Sequence, residues 1–210
     1  MAKLLYITCD LRPNEHSSSL MAGLAFLDEY LKLNPRDEIY MLDLYRDPVP
    51  SADPDVLSAL EKTARGHHIA TLTTTEQRKI GRLRELSAQF AAAEKYVLVT
   101  PMWKPGIPAE LWWYLDSILV SGKTYQNTPS GPRGLLKGQG RKCLLIHKPE
   151  GFVYGEQELH CVSNVRNIMR FLGIEEFHSI LIEGADQTME TNKVLSRKQI
   201  GKIAEAALTF

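Results

Sequence analysis

Cysteine is scarce in this 210-residue chain, and the three present are odd in number. Cys9, Cys143 and Cys161 show no CxxC spacing, which argues against both a disulfide framework and a zinc site. Net charge is lacking too. Twenty-five basic and twenty-five acidic residues cancel, so no global field favours nucleic acid or an anionic membrane. No apolar run approaches the length that crosses a bilayer, and the run within MAKLLYITCD is too short for a secretory signal. A reducing cytoplasm is the expected location. The chain also lacks a Gly-rich dinucleotide fingerprint, a P-loop, a GxSxG elbow, a paired carboxylate, a metal-ligand cluster, an internal repeat and a low-complexity stretch.

What is present is an ordinary globular composition, 44% hydrophobic and 24% charged, enough to bury a substantial core. Nothing resembles a linker, so one domain over 1–210 is expected. Two basic clusters, around 78–84 and 137–142, read as solvated faces. Five short, nearly continuous apolar runs, at 3–8, 38–43, 95–100, 142–147 and 177–182, read as strands covered on both faces, as in a parallel sheet. Helical periodicity lies between them. It is carried by Leu20, Leu24, Leu27 and Leu31, then by Ile80, Leu83, Leu86 and Phe90, and then by Leu111, Leu115 and Ile118. Val162, Val165, Met169 and Leu172 continue the pattern, followed by Ile200, Ile203 and Ala207, and Gly173 marks a helix stop. Strand and helix alternate five times, which predicts an α/β fold. The expected architecture is a doubly wound five-stranded parallel sheet of flavodoxin-like order 2-1-3-4-5 with helices on both faces. Residues 45–75 exceed a plain connection between the second strand and the second helix. Pro-rich at their start, with a short helix near 56–63, they read as a surface excursion or as a wall beside a site.

In such a sheet, ligands bind beyond the carboxyl ends of the first and third strands. The first of these loops, CDLRPNEHSSS at 9–19, gathers His16, Ser17, Ser18 and Ser19 at a helix start. There the unpaired N–H groups and the dipole favour an anion, and Arg12 adds charge. Plain N-capping explains the serines equally well. The second loop is PMWKPG, with Met102 and Trp103 held between Pro101 and Pro105. A phosphate on the first loop and a flat ring on the second describe a flavin mononucleotide. Met102 and Trp103 as satellite core residues are the competing reading. A third loop, HKPEGFVYG, follows the fourth strand and borders the same crevice. His147 there is a proton donor or a structural residue, and Gly151 and Gly155 permit close backbone approach. Apolar Trp113 points about 200° from Leu111 on the third helix, with Val120 near it, which suggests a partner surface or a face covered by 45–75.

The KLLYI start, the RP…S loop, DEIYMLDLY, PMW…IPAEL..YLD, the 122–142 segment containing TPSGP, FLGI and the late IEG together resemble the FMN-dependent NADH azoreductases. This family of flavodoxin-like quinone and azo-dye reductases is matched over nearly the whole length. The resemblance implies noncovalent FMN, NADH as electron donor, and a homodimer with each site near the interface; the outer face of the third helix, at Trp113 and Val120, is the contact expected from its helical pattern. Ser17 and Ser19 would contact the phosphate, with Asp10, Arg12 and Ser18 beside them. Pro101, Met102, Trp103 and Lys104 would flank the ring. Lys148, Pro149, Glu150 and Gly151 would cover its pyrimidine side, with His147 beside them. Trp103, Tyr125 and Phe152 would shape the substrate slot. Hydride would pass from NADH to flavin N5 and then to a quinone or azo compound, ping-pong, with no side chain as obligatory acid or base.

The chain departs from the family at three places. Lys104 stands where the family usually has Asn, and Pro105 after it removes an N–H. Lys148-Pro149-Glu150-Gly151 replaces a Ser-Arg/Asn-Gly-Gly turn. Asp10 puts a carboxylate beside the phosphate loop, where two like charges about 4 Å apart repel by roughly 1 kcal/mol in water. These departures motivate an alternative: a flavodoxin-like protein that has lost FMN and binds another anionic ligand or partner without redox turnover. A phosphodiester hydrolase is a third option without a nucleophile or metal constellation.

Overall fold

Each of the five apolar runs forms a strand of one parallel sheet, within a residue of its expected bounds. In the computed structural model, residues 1–47, 49–102, 106–148, 160–182 and 195–210 are described. The elements are β1 (Lys3–Thr8), α1 (Ser18–Leu33), β2 (Glu38–Asp43), α2 (Pro54–Ala64), α3 (Thr74–Ala92), β3 (Lys95–Pro101) and α4 (Ala109–Ile118). They continue with β4 (Tyr125–Thr128), β5 (Gly131–Gly134), β6 (Lys142–Lys148), α5 (His160–Leu172), β7 (Glu176–Leu181) and α6 (Arg197–Thr209). The sheet order is β2-β1-β3-β6-β7, all parallel, and β4 and β5 make a separate antiparallel hairpin. No apolar run falls in 122–141, where the hairpin lies, so the expected order 2-1-3-4-5 and the observed order differ only in numbering, by the two hairpin strands.

Alternation along the central strands feeds two cores. Leu4 and Tyr6, Val97 and Val99, and Leu144 and Ile146 cluster with Phe26 and Leu27 of α1 and Ile203 and Ala207 of α6. The intervening Leu5 and Ile7, Tyr96 and Leu98, and Cys143 and Leu145 cluster with residues of α3, α4 and α5. The edge strands behave differently. Tyr40 and Met41 of β2 are largely exposed, because a sheet edge has neighbours on one side only. Continuous hydrophobicity therefore marked β2 as a strand without making it a covered one.

The helical stripes also shift from those read in the sequence. On α1 the buried set is Ser18, Ser19, Leu20, Ala22, Gly23, Phe26, Leu27 and Tyr30, while Leu24 and Leu31 turn toward solvent. Gly23 explains how closely α1 sits on the sheet. A Cβ there would lie 2.3 Å from the Tyr6 hydroxyl and 2.8 Å from Val99 Cγ2. The helix can approach β1 and β3 this closely only because the side chain is missing. On α6 it is Gln199, Ile203 and Ala207 that are buried, and Ile200 is exposed. Gly173 ends α5 at φ +101°, as its position in the sequence suggests.

Two further differences concern basic residues and the insertion. Arg141, read as part of a solvated face, is buried and donates to the carbonyls of Ala93 (3.0 Å), Leu136 (3.3 Å) and Ala91 (2.8 Å). It ties the hairpin's exit to the end of α3. Within 45–75, α2 is capped by Asp53 with Pro54 in its first turn, and it packs on α3 through Ala59, Leu72 and Ile80. Among the described residues no helix is long and apolar enough to cross a membrane.

Candidate functional site

The carboxyl ends of β1, β3 and β6 lie side by side, and backbone hydrogen bonds carry that pairing into the loops. Cys9 N donates to Val99 O at 2.9 Å, so the chain leaving β1 is still stitched to β3. Pro101 stands opposite Lys148 in the β3–β6 register, and Met102 N donates to Lys148 O at 2.7 Å. Residues 9–10, 101–102 and 147–148 are thus brought to one edge of the sheet by pairing alone.

The first loop gathers hydrogen-bond donors around the Asp10 carboxylate. Ser17 is the N-cap of α1, its hydroxyl oxygen accepting from Leu20 N at 3.1 Å. The same hydroxyl donates to Asp10 Oδ2 at 2.5 Å, and Ser19 Oγ lies 3.0 Å from Ser17 Oγ and 3.4 Å from Asp10 Oδ2. Arg12 supplies its backbone N–H (3.0 Å), Nε (3.1 Å) and Nη2 (3.1 Å) to the same carboxylate. Ser17 and Ser19 are fully buried and Asp10's side chain is 4% exposed. Burial works against the Asp10 charge, but the hydrogen bonds from Arg12 and Ser17 outweigh it and hold the carboxyl below the usual range. Ser17 caps the helix, and its proton goes to the Asp10 carboxylate.

The second loop gives a mixed picture. Met102 is buried in the core cluster that includes Ile107 and Leu111. Trp103 and Lys104 lie outside the described residues, as do Pro149, Glu150, Gly151 and Phe152. At the end of β6, His147 and Lys148 are both buried. Burial alone lowers the His147 pKa to about 4, so the imidazole is neutral near pH 7. A neutral, desolvated histidine does not supply a proton readily, which favours the structural role for it.

Tyr125 is placed elsewhere. On β4 it packs against Phe171, with ring centroids 5.7 Å apart, near the end of α5. The hairpin's exit is fixed there by Leu136 N donating to Leu172 O at 2.9 Å. Chain leaving α5 enters β7 at once, so this is the amino edge of the parallel sheet. Within one chain the structure does not bring Tyr125 to the loops at the carboxyl edge.

Tyr45 and Glu110 also lie beside the first loop, without any signal for it in the sequence. Tyr45, just past β2, is partly buried against the core cluster around Cys9. Burial raises its phenol pKa first, with Cys9 and a hydrogen bond to Glu110 at the start of α4 adding to the effect. Only the β1–β2 pairing and the placement of α4 make these residues neighbours of the loop, and no local spacing reveals it. Among the described residues no group of three His, Cys, Asp or Glu could hold a metal ion.

Comparison with known proteins agrees with this architecture. A family model described as flavodoxin-like fold matches residues 2–204. The FMN-dependent NADH:quinone oxidoreductase of Geotalea uraniireducens (strain Rf4) is 56% identical over 186 residues, 89% of each chain. That of Trichlorobacter lovleyi is 46% identical over 210 residues and the full length of both. The FMN complex of an FMN-dependent NADH-azoreductase from Bacillus anthracis str. Ames Ancestor superposes with a TM-score of 0.86 at 30% identity, covering 99% of this chain and 98% of that one. With a parallel sheet of this order, an anion cradle at its switch point and likeness along the whole length, the chain belongs to the flavodoxin-like family of FMN-dependent NADH:quinone oxidoreductases.

Proposed function

We propose that this protein is an FMN-dependent NADH oxidoreductase that reduces quinones or azo compounds. The observation that carries the reading is the donor set of residues 10–19. Ser17, Ser19 and Arg12 already converge on one oxyanion at the N-terminus of α1, which is the chemistry a phosphate requires. The names and the identity of the relatives supply the cofactor and the donor, FMN and NADH. When bound, FMN supplies a two-electron carrier that accepts hydride from NADH and delivers it to the acceptor in a second, separate half-reaction.

The protein's part is to bind, orient and exclude water. Ser17, Ser19 and Arg12 hold the phosphate, with Ser18 in the same first turn. Residues 101–104 and 147–151 flank the ring, and the buried Met102 and His147 fix where their loops leave the sheet. No side chain is required as acid or base. Trp113, 40% exposed on α4 with Val120 beside its end, is the centre of a homodimer contact in this reading. Tyr125, on the hairpin at the amino edge of the parallel sheet, joins a substrate slot with Trp103 and Phe152 only where a second copy presents it. Three free and buried cysteines suit a reducing cytoplasm. One domain, with 45–75 as an added α2 layer, completes the proposal.

An absorption spectrum of the purified protein, taken again after FMN addition and desalting, tests it. Retained flavin bands that bleach on NADH addition are expected. A colourless protein that retains no added FMN would replace this reading with the non-redox alternative.

A further inference from the structure

The carboxylate of Asp10 sits where the phosphate-binding donors point. Five of them face it: the Arg12 N–H, Nε and Nη2, and the hydroxyls of Ser17 and Ser19. Ser17 has one proton to give. Its oxygen accepts from Leu20 N, so that proton is committed to Asp10. An incoming phosphate meets a cradle whose hydroxyl protons and guanidinium are in use, with a like charge at its floor.

We propose that Asp10 is a built-in occupant of the phosphate cradle, which the FMN phosphate must displace, so that this one carboxylate sets the affinity and exchange rate of the cofactor. The inference rests on the reading that FMN binds with its phosphate at residues 12–19. It makes the cofactor-free protein a well-formed state: Asp10 satisfies the buried hydroxyls and Arg12 when no phosphate does. It also makes FMN exchangeable, because part of its binding energy goes into moving a carboxylate off its donors. The ring contacts take no part in this competition. Riboflavin, which carries the same ring and ribityl chain without phosphate, is therefore insensitive to Asp10.

Flavin-stripped wild type, Asp10→Asn and Asp10→Ser are titrated with FMN and with riboflavin by flavin fluorescence. Melting curves with and without inorganic phosphate accompany the titrations. Asparagine keeps the shape and loses the charge; serine is the second variant should asparagine fold poorly. The expected result is FMN binding at least tenfold tighter in the variants, about 1.4 kcal/mol, with riboflavin within twofold of wild type. FMN affinity unchanged or weaker in both variants would overturn the inference while leaving the flavin reading standing. An equal gain for riboflavin would overturn it too, since Asp10 would then act on the ring or the fold. If neither flavin binds any of the three proteins, the flavin reading fails and the phosphate melts decide: stabilisation of the variants but not of wild type upholds the internal anion, and equal response refutes it.

Discussion

At the scale of single residues, His147 shows how burial converts a titratable group into a pH-dependent liability. Its pKa falls from the ordinary 6.5 to about 4 through desolvation. The unfolded chain then binds the proton more readily than the folded one, so stability falls as pH drops below 6.5 and levels off below about 4. A shift of this size is worth roughly 2 kcal/mol at pH 5 relative to pH 7.5. Urea unfolding of wild type and His147→Gln at those two pH values should show that pH-dependent difference shrinking by about that amount in the variant. Equal differences would mean that other groups set the acid limb. The sequence offers His147 as a proton donor or a structural residue, and its depth at the end of β6, which favours the second, has no local signal. Asp10 is the converse case. Its carboxylate was legible as a charge beside the phosphate loop, but its seat on Ser17, Ser19 and Arg12 depends on the turn that residues 11–16 make.

At the scale of elements, α2 is held to α3 by a polar clamp. Glu76 closes the capping box of α3 with Thr73 and accepts from Lys62 Nζ and Ser58 Oγ of α2, each at 2.7 Å. Hydrogen bonds from Lys62 and then Ser58 bring its pKa down to about 2. The contribution is present above about pH 4.5 and lost as pH falls toward 2. Lys79 of α3 pairs at the other end of the contact with Asp53 and with Asp55 (2.6 Å). Gln at position 76 can still close the box but cannot pair with Lys62. Glu76→Gln should therefore loosen α2 and leave the start of α3 intact, whereas Thr73→Ala should cost about 1 kcal/mol at that start. Hydrogen exchange resolves the two: faster amide exchange confined to α2 is expected for Glu76→Gln. Protection unchanged across α2 would show that its apolar contacts with Ala59, Leu72 and Ile80 suffice. The α2 helix itself was readable from Asp53-Pro54 and the apolar spacing, but the residue it leans on lies about 18 positions later and carries no local signal.

At the scale of the whole molecule, α4 exposes one large apolar group where a core helix needs none. Trp112 packs against the core, and Trp113 is 40% exposed. Apolar area on that outer face is the basis for the proposed dimer. Trp113→Glu should give a folded monomer that retains less FMN after desalting, read by sedimentation velocity and the flavin absorbance. A dimer that persists in the variant would move the interface to another face.

Period-two and period-3.6 patterns reach only across neighbouring residues, and they sufficed for the five sheet strands, the helices between them and the two loops at the switch point. The 2-1-3 crossover also followed, because a parallel α/β alternation leaves few ways to wind. Other features needed the tertiary structure. The exposure of Tyr40 and Met41 is set by β2 having no outer neighbour. Arg141 lies in the interior because three carbonyls meet there. Tyr125 sits by Phe171 because the hairpin docks on the end of α5. Asp10 meets Ser17 and Ser19 across a loop whose turn brings them together. Each depends on groups that share no local periodicity, so it is decided only once the chain has closed on itself.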